Sequence, residues 1–558
     1  MHAARLALFE DNHIHSKYSD GKNAIGELLA YNDMHDQLNL TISDHVNKET
    51  DWFPRYCEEI RQYRKQYPHF AIRIGCEAKI LEDGTLNTTP EIIEAADTVI
   101  GSVHHFRNIR SLGKEELLEQ EFTLTKMIAA HPDVDVLGHP FSMCNRFFKL
   151  NPPMAYVEEI YQLCVENGIL FEFNEKQALG SIRELVTREI GKGNIRHFSF
   201  GTDLHENTNE LGNAAFALGK PVTVLLTGAG AGVGQSILKA LRLSKVKTRI
   251  IIADMDPLTA GLYRADAAYV IPAANDPKYI PHLEAICKKE QVELLLVGTD
   301  VELPVLARHK ADFQRNTATR IIVSDNETIA IADDKWKTTE FLRSHGFPFI
   351  RSALPKDVDT LMRDVGFPLV VKPRVGARSV GFAIAHDEPE LRELLRKTKD
   401  AIVQEYLPEE DEEYTCGGFF MDGECYGVIP MKRWLRNGDT YKAIAKHDPH
   451  LERFIERVGK TLKIDGPCNF QLRRSGDQWK IFEINCRFSG TTGAASALGF
   501  NVVNALLQHI FYDRPPYHLH FDEAYVFRYW NEVFAPVRDV ETMTEGHLEG
   551  PKAFVSAM

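Results

Sequence analysis

His13-Ile14-His15-Ser16-Lys17-Tyr18-Ser19-Asp20-Gly21 follows the apolar run Leu6-Ala7-Leu8-Phe9. If that run is a strand, side chains alternate faces, so His13 and His15 leave from one side and can reach one metal ion. A single His-x-His pair is weak evidence, because two imidazoles at that spacing are as readily satisfied polar groups. Its meaning is set by what recurs after it.

Six further short apolar runs, at 40–42, 71–74, 98–100, 134–137, 169–173 and 198–200, alternate with helix-like stretches. That alternation predicts βα units and a mainly parallel sheet, here a barrel one unit short of the common eight. After the runs come Asp44-His45, Gly75-Cys76-Glu77, Gly101-Ser102-Val103-His104-His105, Gly138-His139-Pro140 and Gly201-Thr202-Asp203-Leu204-His205. The C-terminal strand ends of such a barrel converge on one face, so these imidazoles and carboxylates share a pocket. Gathering them unpaired is costly; divalent cations neutralise the carboxylates and take the imidazoles as ligands. His35, His69 and His131 fall outside strand ends and read as ordinary polar residues. Arg107, Arg146, Lys149 and Lys176 follow the fourth to sixth strands, where phosphate recognition needs cations, but lone basic residues read as solvated.

With Ser19-Asp20-Gly21 and Ser43-Asp44-His45 included, the series resembles the polymerase and histidinol phosphatase (PHP) family over residues 8–210. The resemblance implies a distorted (β/α)7 barrel with two or three Zn2+, Mn2+ or Fe ions that hydrolyses phosphoesters. Carried over by position, the ligands are His13, His15, Asp20, His45, Glu77, His104, His139, Asp203 and His205, and Asp203 and His205 also count as catalytic. Asp20 stands where some members use a histidine. Of the adjacent His104 and His105, opposite strand faces leave only one as a ligand.

At 558 residues the chain is too long for one core, and usual domain sizes give three or four. A hydrophobic content of 44% with 26% charged residues describes an ordinary soluble globular protein. No apolar run has the ~18 residues of a membrane span, and the N-terminus leads into a patterned strand, so the expected location is cytoplasmic. Nine scattered cysteines without a C-x-x-C pair argue against a disulfide framework or zinc ribbon. A net charge of −14 argues against nucleic-acid backbone binding as the main task, with a local basic groove left open.

After Gly219-Lys220-Pro221 the pattern restarts: a strand at 222–226, the turn Thr227-Gly228-Ala229-Gly230-Ala231-Gly232-Val233-Gly234, a helix at 235–243 and a strand at 250–253 ending at Asp254. The strict G-x-G-x-x-G spacing fails at Val233, so this reads as a Rossmann-like half used for packing and substrate grip rather than a dinucleotide site. A later strand ends in Gly298-Thr299-Asp300-Val301-Glu302.

Asp334-Lys335 opens a helix that runs to His345-Gly346. Phe367-Pro368-Leu369-Val370-Val371-Lys372 then delivers a lysine beside the basic, Gly-containing loop Pro373-Arg374-Val375-Gly376-Ala377-Arg378-Ser379-Val380-Gly381, a combination suited to polyphosphate. Downstream, Asn469-Phe470-Gln471-Leu472 and Ile481-Phe482-Glu483-Ile484-Asn485-Cys486-Arg487 alternate as strands. Gln471, Glu483 and Asn485 on one face offer the oxygen ligands Mg2+ prefers, and Arg487 on that face can stabilise a transferring phosphoryl group. Residues 220–515 resemble the ATP-grasp superfamily, in its carbamoyl-phosphate synthase large-chain-like branch, most specifically through Gly466-Pro467-Cys468-Asn469-Phe470-Gln471 and Phe482-Glu483-Ile484-Asn485-Cys486-Arg487. The resemblance implies that Lys335 and Lys372 contact ATP phosphates, Glu405, Tyr406 and Leu407 the adenine, Glu413 the ribose, and Gln471, Glu483 and Asn485 the Mg2+ ions, with Lys372 and Arg487 catalytic. Ala377-Arg378 depart from the further glycine that many members have there.

The expected α/β architecture is therefore a barrel at 1–215, a Rossmann-like pre-ATP-grasp domain at 220–330, an α+β ATP-grasp domain at 331–515 and a closing strand and tail at 516–558. The function expected is a metal-dependent phosphoesterase joined to an ATP-dependent carboxylate-amine ligase acting on small molecules, with homo-oligomerisation left open. Two alternatives are a metal-dependent nuclease regulated or powered by the ATP module, and an ATP-sensing scaffold carrying a phosphatase.

Overall fold

The computed structural model describes residues 9–35, 37–218, 220–376, 381–408, 412–436, 438–529 and 531–555. Two compact units divide the chain, Arg5–Lys220 and Pro221–Met558.

In the first unit, strands β1 (Glu10–Ile14), β2 (Asn39–Ile42), β4 (Ile72–Lys79), β5 (Thr98–Ser102), β6 (Val136–Leu137), β7 (Leu170–Asn174) and β8 (Phe198–Gly201) pair in that order, all parallel, while β3 (His45–Val46) pairs with β4. The ring closes through a single parallel bridge, Ile14 to Leu204, where His15 N–H donates to the Leu204 carbonyl at 2.9 Å. This is a nearly closed seven-stranded barrel. Ile14, Ile42, Phe171, Phe173 and Phe198 fill its core at 1% exposure or less, each contributing ~1.5–3 kcal/mol by burial.

The first strand departs from expectation. Of the run at 6–9, residues 6–8 lie outside the described residues, and the strand seen is the polar Glu10-Asp11-Asn12-His13-Ile14. It survives burial because the Asp11 carboxylate accepts from the Thr202 N–H (3.0 Å) and hydroxyl (2.6 Å) and from the Gly212 N–H (2.8 Å). One buried acid thereby ties the first strand to the last.

The second unit opens with strands β9 (Val222–Thr227), β10 (Thr248–Asp254), β11 (Ala267–Val270), β12 (Leu294–Leu296) and β13 (Arg320–Ile321), ordered β13-β12-β9-β10-β11 and parallel. The four-stranded antiparallel sheet that follows comprises β14 (Ser352–Ala353), β15 (Leu369–Pro373), β16 (Ala383–Ala385) and β17 (Ala401–Glu405). A larger antiparallel sheet comprises β18 (Glu413–Met421), β19 (Glu424–Arg436), β20 (Asp439–Ala445), β21 (Gly466–Ser475), β22 (Gln478–Asn485) and β23 (Ala524–Phe527). The C-terminal segment then pairs β24 (Val533–Phe534) with β26 (Phe554–Val555) and lays β25 (His547–Glu549) antiparallel on β11. It therefore supplies an edge strand to both six-stranded sheets, more than a tail. Among the described residues no helix is long and apolar enough to cross a membrane.

Candidate metal centre and nucleotide cleft

The barrel brings all nine expected ligands into one cluster. Glu77 lies at its middle: β3 pairs with β4 so that His45 sits opposite Glu77, and the Glu77 carboxylate is fully buried. Its Oε2 lies 2.9 Å from His45 Nδ1, 3.3 Å from His13 Nε2 and 3.4 Å from His15 Nε2; its Oε1 lies 2.7 Å from His104 Nε2 and 3.0 Å from His139 Nε2. Asp203 Oδ1 approaches His15 Nε2 at 3.0 Å, and Asp20 reaches His205 Nε2 at 3.3 Å and His45 Nε2 at 3.5 Å. His105 points outward and is exposed, so His104 alone of that pair joins the cluster. Lys176 pairs with Glu210 at the surface, in keeping with a solvated role.

The electrostatics follow from this crowding. Burial acts to lower His13, but the carboxylates of Glu172 and Glu77 outweigh it and hold the ring well above the ordinary imidazole range. His139 is pushed up to about 9, Glu77 overcoming burial, while burial wins at His15 and lowers it. Glu77 sits well below the usual carboxylate range because His104 and His13 outweigh its own burial.

The donor set fits metal ions. Four overlapping groups have their ligand atoms within 4.8 Å of one another: His15-Asp20-His45-His205, His13-His15-Asp203, His13-Glu77-His139 and His45-Glu77-His104. His13 Nε2, His15 Nδ1 and Glu77 Oε2 are buried without a hydrogen-bond partner, which is costly unless something else takes their lone pairs.

Four residues outside the expected set shape the centre. Glu172 accepts from His13 Nδ1 at 2.7 Å and from the His139 N–H. Asp44 accepts from the N–H groups of Ser16 (2.8 Å) and Ser19 (3.1 Å) and from their hydroxyls (2.7 and 2.6 Å), fixing the loop that carries Asp20. Gln177 Nε2 donates to Asp203 Oδ2 at 2.5 Å, and Asp11 staples the strands as described. The available signal was a lone acid inside an apolar run, at Glu172; the polar stretch Glu10-Asp11-Asn12 gave none for Asp11.

In the second unit a cleft of about 620 Å3 is lined by Lys335, Lys372, Glu405, Tyr406, Leu407, Glu413, Gln471, Glu483 and Arg487. The helix Lys335–Ser344 starts with Asp334 accepting from the Trp336 N–H, and Lys335 Nζ donates to the Gly376 carbonyl at 2.8 Å. Ala377 and Arg378, the expected departure from the family loop, lie outside the described residues. Lys372, on β15, has its ammonium 5.7 Å from the centre of the Phe482 ring and is lowered to about 8 by burial and by Lys335, against the pull of Glu483. β21 and β22 pair Gln471 with Glu483, and Glu483 Oε1 accepts from Asn485 Nδ2 (2.9 Å) and Gln471 Nε2 (3.3 Å). This amide and carboxylate oxygen set suits Mg2+.

Four placements add to simple strand reasoning. Arg487 does not continue the alternation of Glu483 and Asn485: β22 ends at Asn485, the Arg487 N–H donates to the Asn485 carbonyl at 2.8 Å, and the guanidinium forms a bidentate pair with Asp300 at 2.8 and 2.9 Å. Glu413 has both oxygens taken, by Arg433 (2.7 Å) and Arg473 (2.7 Å), and Glu405 accepts from Lys480 at 2.6 Å. Asp254, at the end of β10, accepts from the Gly230 N–H at 2.7 Å, so this acid braces the Gly-rich turn that follows β9.

Residues 11–176 match the family profile described as PHP domain. Residues 224–330 match the PylC-like N-terminal domain, 332–447 the RimK-like ATP-grasp domain, and 397–533 the ATP-grasp in the biosynthetic pathway with Ter operon. The chain thus carries a PHP domain followed by an ATP-grasp domain, and it is an enzyme. Its relatives include the carbamoyl-phosphate synthase of Methanobrevibacter smithii, 24% identical over 259 residues that are 43% of this chain and 68% of that protein. The large chain of carbamoyl phosphate synthase from Thermus thermophilus is 28% identical over 172 residues, 29% of this chain and only 16% of that one. The chain thus spans two thirds or less of most of these relatives. Among solved structures, N5-carboxyaminoimidazole synthetase from Staphylococcus aureus with ADP superimposes on 58% of this chain and 84% of its own, at 16% identity and a TM-score of 0.43.

Proposed function

We propose that the chain is a bifunctional enzyme: the barrel hydrolyses a phosphoester, and the second unit uses ATP to join a carboxylate to an amine through an acyl phosphate. The observation that supports this most directly is that nine imidazoles and carboxylates cluster in the barrel, while Gln471 and Glu483 line a cleft beside two lysines in the second unit. The division of labour follows segments 1–215, 220–330 and 331–515, with 516–558 bracing the last two.

In the barrel, His13, His15, Asp20, His45, Glu77, His104, His139, Asp203 and His205 hold two or three Zn2+, Mn2+ or Fe ions. Bound there, such ions act as Lewis acids and activate water. The protein orients them. Buried His13, His15, Glu77 and His139 form the floor, and Asp20, His45, His104 and His205, each with its side chain about a third to a half exposed, form the mouth through which a phosphoester enters.

In the cleft, Lys335 and Lys372 meet the ATP phosphates, Gln471, Glu483 and Asn485 hold Mg2+, and Glu405, Tyr406 and Leu407 border the adenine. A substrate carboxylate oxygen attacks the γ-phosphorus and ADP leaves; an amine then attacks the acyl carbon and phosphate leaves. Arg487, held by Asp300, faces the transferring phosphoryl group. The substrates are small molecules. Nine free, buried cysteines support a reducing, cytoplasmic setting.

The test is metal analysis together with phosphate and ADP release over a metabolite panel, on the wild type and on Glu77→Ala and Glu483→Ala. Loss of phosphoester cleavage only in the first variant and of ADP release only in the second is expected. A wild type that releases neither product with any phosphoester, acid and amine overturns the proposal.

A further inference from the structure

Glu172 is assigned no role by the ligand set, yet it touches two of its members. It lies in the middle of β7, 1% exposed, in a strand otherwise apolar up to Asn174. Its Oε1 accepts from His13 Nδ1 at 2.7 Å and its Oε2 accepts from the His139 backbone N–H. Space for it is cut by a glycine: a Cβ on Gly201 would fall 2.3 Å from Glu172 Oε1 and 2.5 Å from the His13 Cβ.

We propose that Glu172 is a positioning residue that sets two metal-facing imidazoles at once, fixing the tautomer of His13 and the backbone of His139. The inference rests on the barrel binding metal ions. With the Nδ1 proton of His13 held by Glu172, Nε2 is the nitrogen left to face a metal ion, and it lies buried 3.3 Å from Glu77 Oε2. His139 has φ +22°, a left-handed value that costs a residue with a side chain ~1–3 kcal/mol unless its surroundings hold it. The bond from its N–H to Glu172 supplies that hold and keeps His139 Nε2 3.0 Å from Glu77.

The chemistry demands a carboxylate. Both partners of Glu172 are donors, so the residue between them must accept on both sides. Glutamine has the same shape but one acceptor and one donor. Its NH2 either faces the His139 N–H, donor against donor, or faces His13 Nδ1 and drives the His13 proton to Nε2, where it blocks ligation. Aspartate keeps both acceptors on a shorter arm.

The experiment compares full-length wild type, Glu172→Gln, Glu172→Asp and Glu77→Ala after loading with Mn2+ or Zn2+ alone. Three quantities are read: metal per chain, affinity by competition with a chromophoric chelator, and melting temperature before and after EDTA. Glu172→Gln is expected to bind at least one ion roughly 10–100-fold more weakly, with partial recovery in Glu172→Asp. Its metal-dependent gain in melting temperature shrinks accordingly. If Glu172→Gln is destabilised equally with and without metal and retains wild-type metal content and affinity, Glu172 is a structural staple and the proposal is overturned. If wild type binds no more metal than Glu77→Ala, the barrel reading itself fails, a result read before any Glu172 variant is considered. One measurement needs no variant to fold. In Co2+-loaded wild type, the His13 Nδ1–H buried against Glu172 gives a hyperfine-shifted, exchangeable proton signal that persists in D2O, and absence of any slowly exchanging signal of that kind also overturns the proposal.

Discussion

Replacing Lys372 by methionine separates what this lysine does for the fold from what it does for the ligand. The residue lies on the wall of the cleft with its ammonium over Phe482 and another cation, Lys335, close by. Burial and Lys335 take it from 10.5 to about 8, and that gap corresponds, at ~1.4 kcal/mol per pH unit, to ~3 kcal/mol of cost at neutral pH. Water in the open cleft screens part of this, leaving about 2 kcal/mol. The sign follows from linkage: between about 8 and 10.5 the unfolded chain holds a proton that the folded chain has lost. Wild-type stability therefore rises with pH across that window, and the cost is fully present below it. Lys372→Met keeps the stem and removes the charge. The nucleotide-free protein is expected to melt several degrees higher at pH 7, ~2 °C per kcal/mol, and to lack the rise above pH 8. ATP binding goes the other way: a charge-assisted contact of ~1.5–3 kcal/mol means roughly 10- to 150-fold weaker affinity. Calorimetric titration with ATP and scanning calorimetry of the second unit's transition read both signs. A variant that melts lower while keeping ATP affinity within about threefold refutes the reasoning.

Stripping divalent ions with EDTA should lower the barrel's melting temperature, since ions present at about a thousandfold over Kd contribute ~4 kcal/mol; an unchanged scan argues against a metal centre. Asp300→Ala removes the bidentate partner of Arg487. ADP release should slow ~10–100-fold while ATP affinity stays within about threefold, and single-turnover kinetics with equal rates would count against Arg487 as a phosphoryl contact. Asp44→Asn leaves one acceptor where four donors converge from Ser16 and Ser19, so denaturant unfolding of the barrel should show a loss of ~2–3 kcal/mol.

The clustering of imidazoles and carboxylates in the barrel was legible because ionisable residues placed repeatedly after apolar runs have few cheap structural explanations. Spacing within a strand also foretold the shared face of Gln471 and Glu483, since alternation is a local rule. What spacing left hidden is pairing across distance. Glu172 meets His13 from 159 residues away, and Glu413 meets Arg473 from 60, contacts that only the closed barrel and the finished sheet create. The first strand was missed for a related reason: Glu10-Asp11-Asn12 reads as a loop until Thr202 and Gly212 arrive to satisfy Asp11. Arg487 lines the cleft, but not as the next alternating strand residue, because a tight turn follows Asn485.

The return of the chain after β23 has a mechanical consequence. One continuous segment ends one six-stranded sheet with Ala524–Phe527 and then borders the other with His547–Glu549, so it acts as a tie-rod between them. The four-stranded sheet spanning β14 to β17 includes no strand from this segment. A backbone cut between the two edge strands, within 531–546, is expected to unlink them and lower the melting temperature of the second unit.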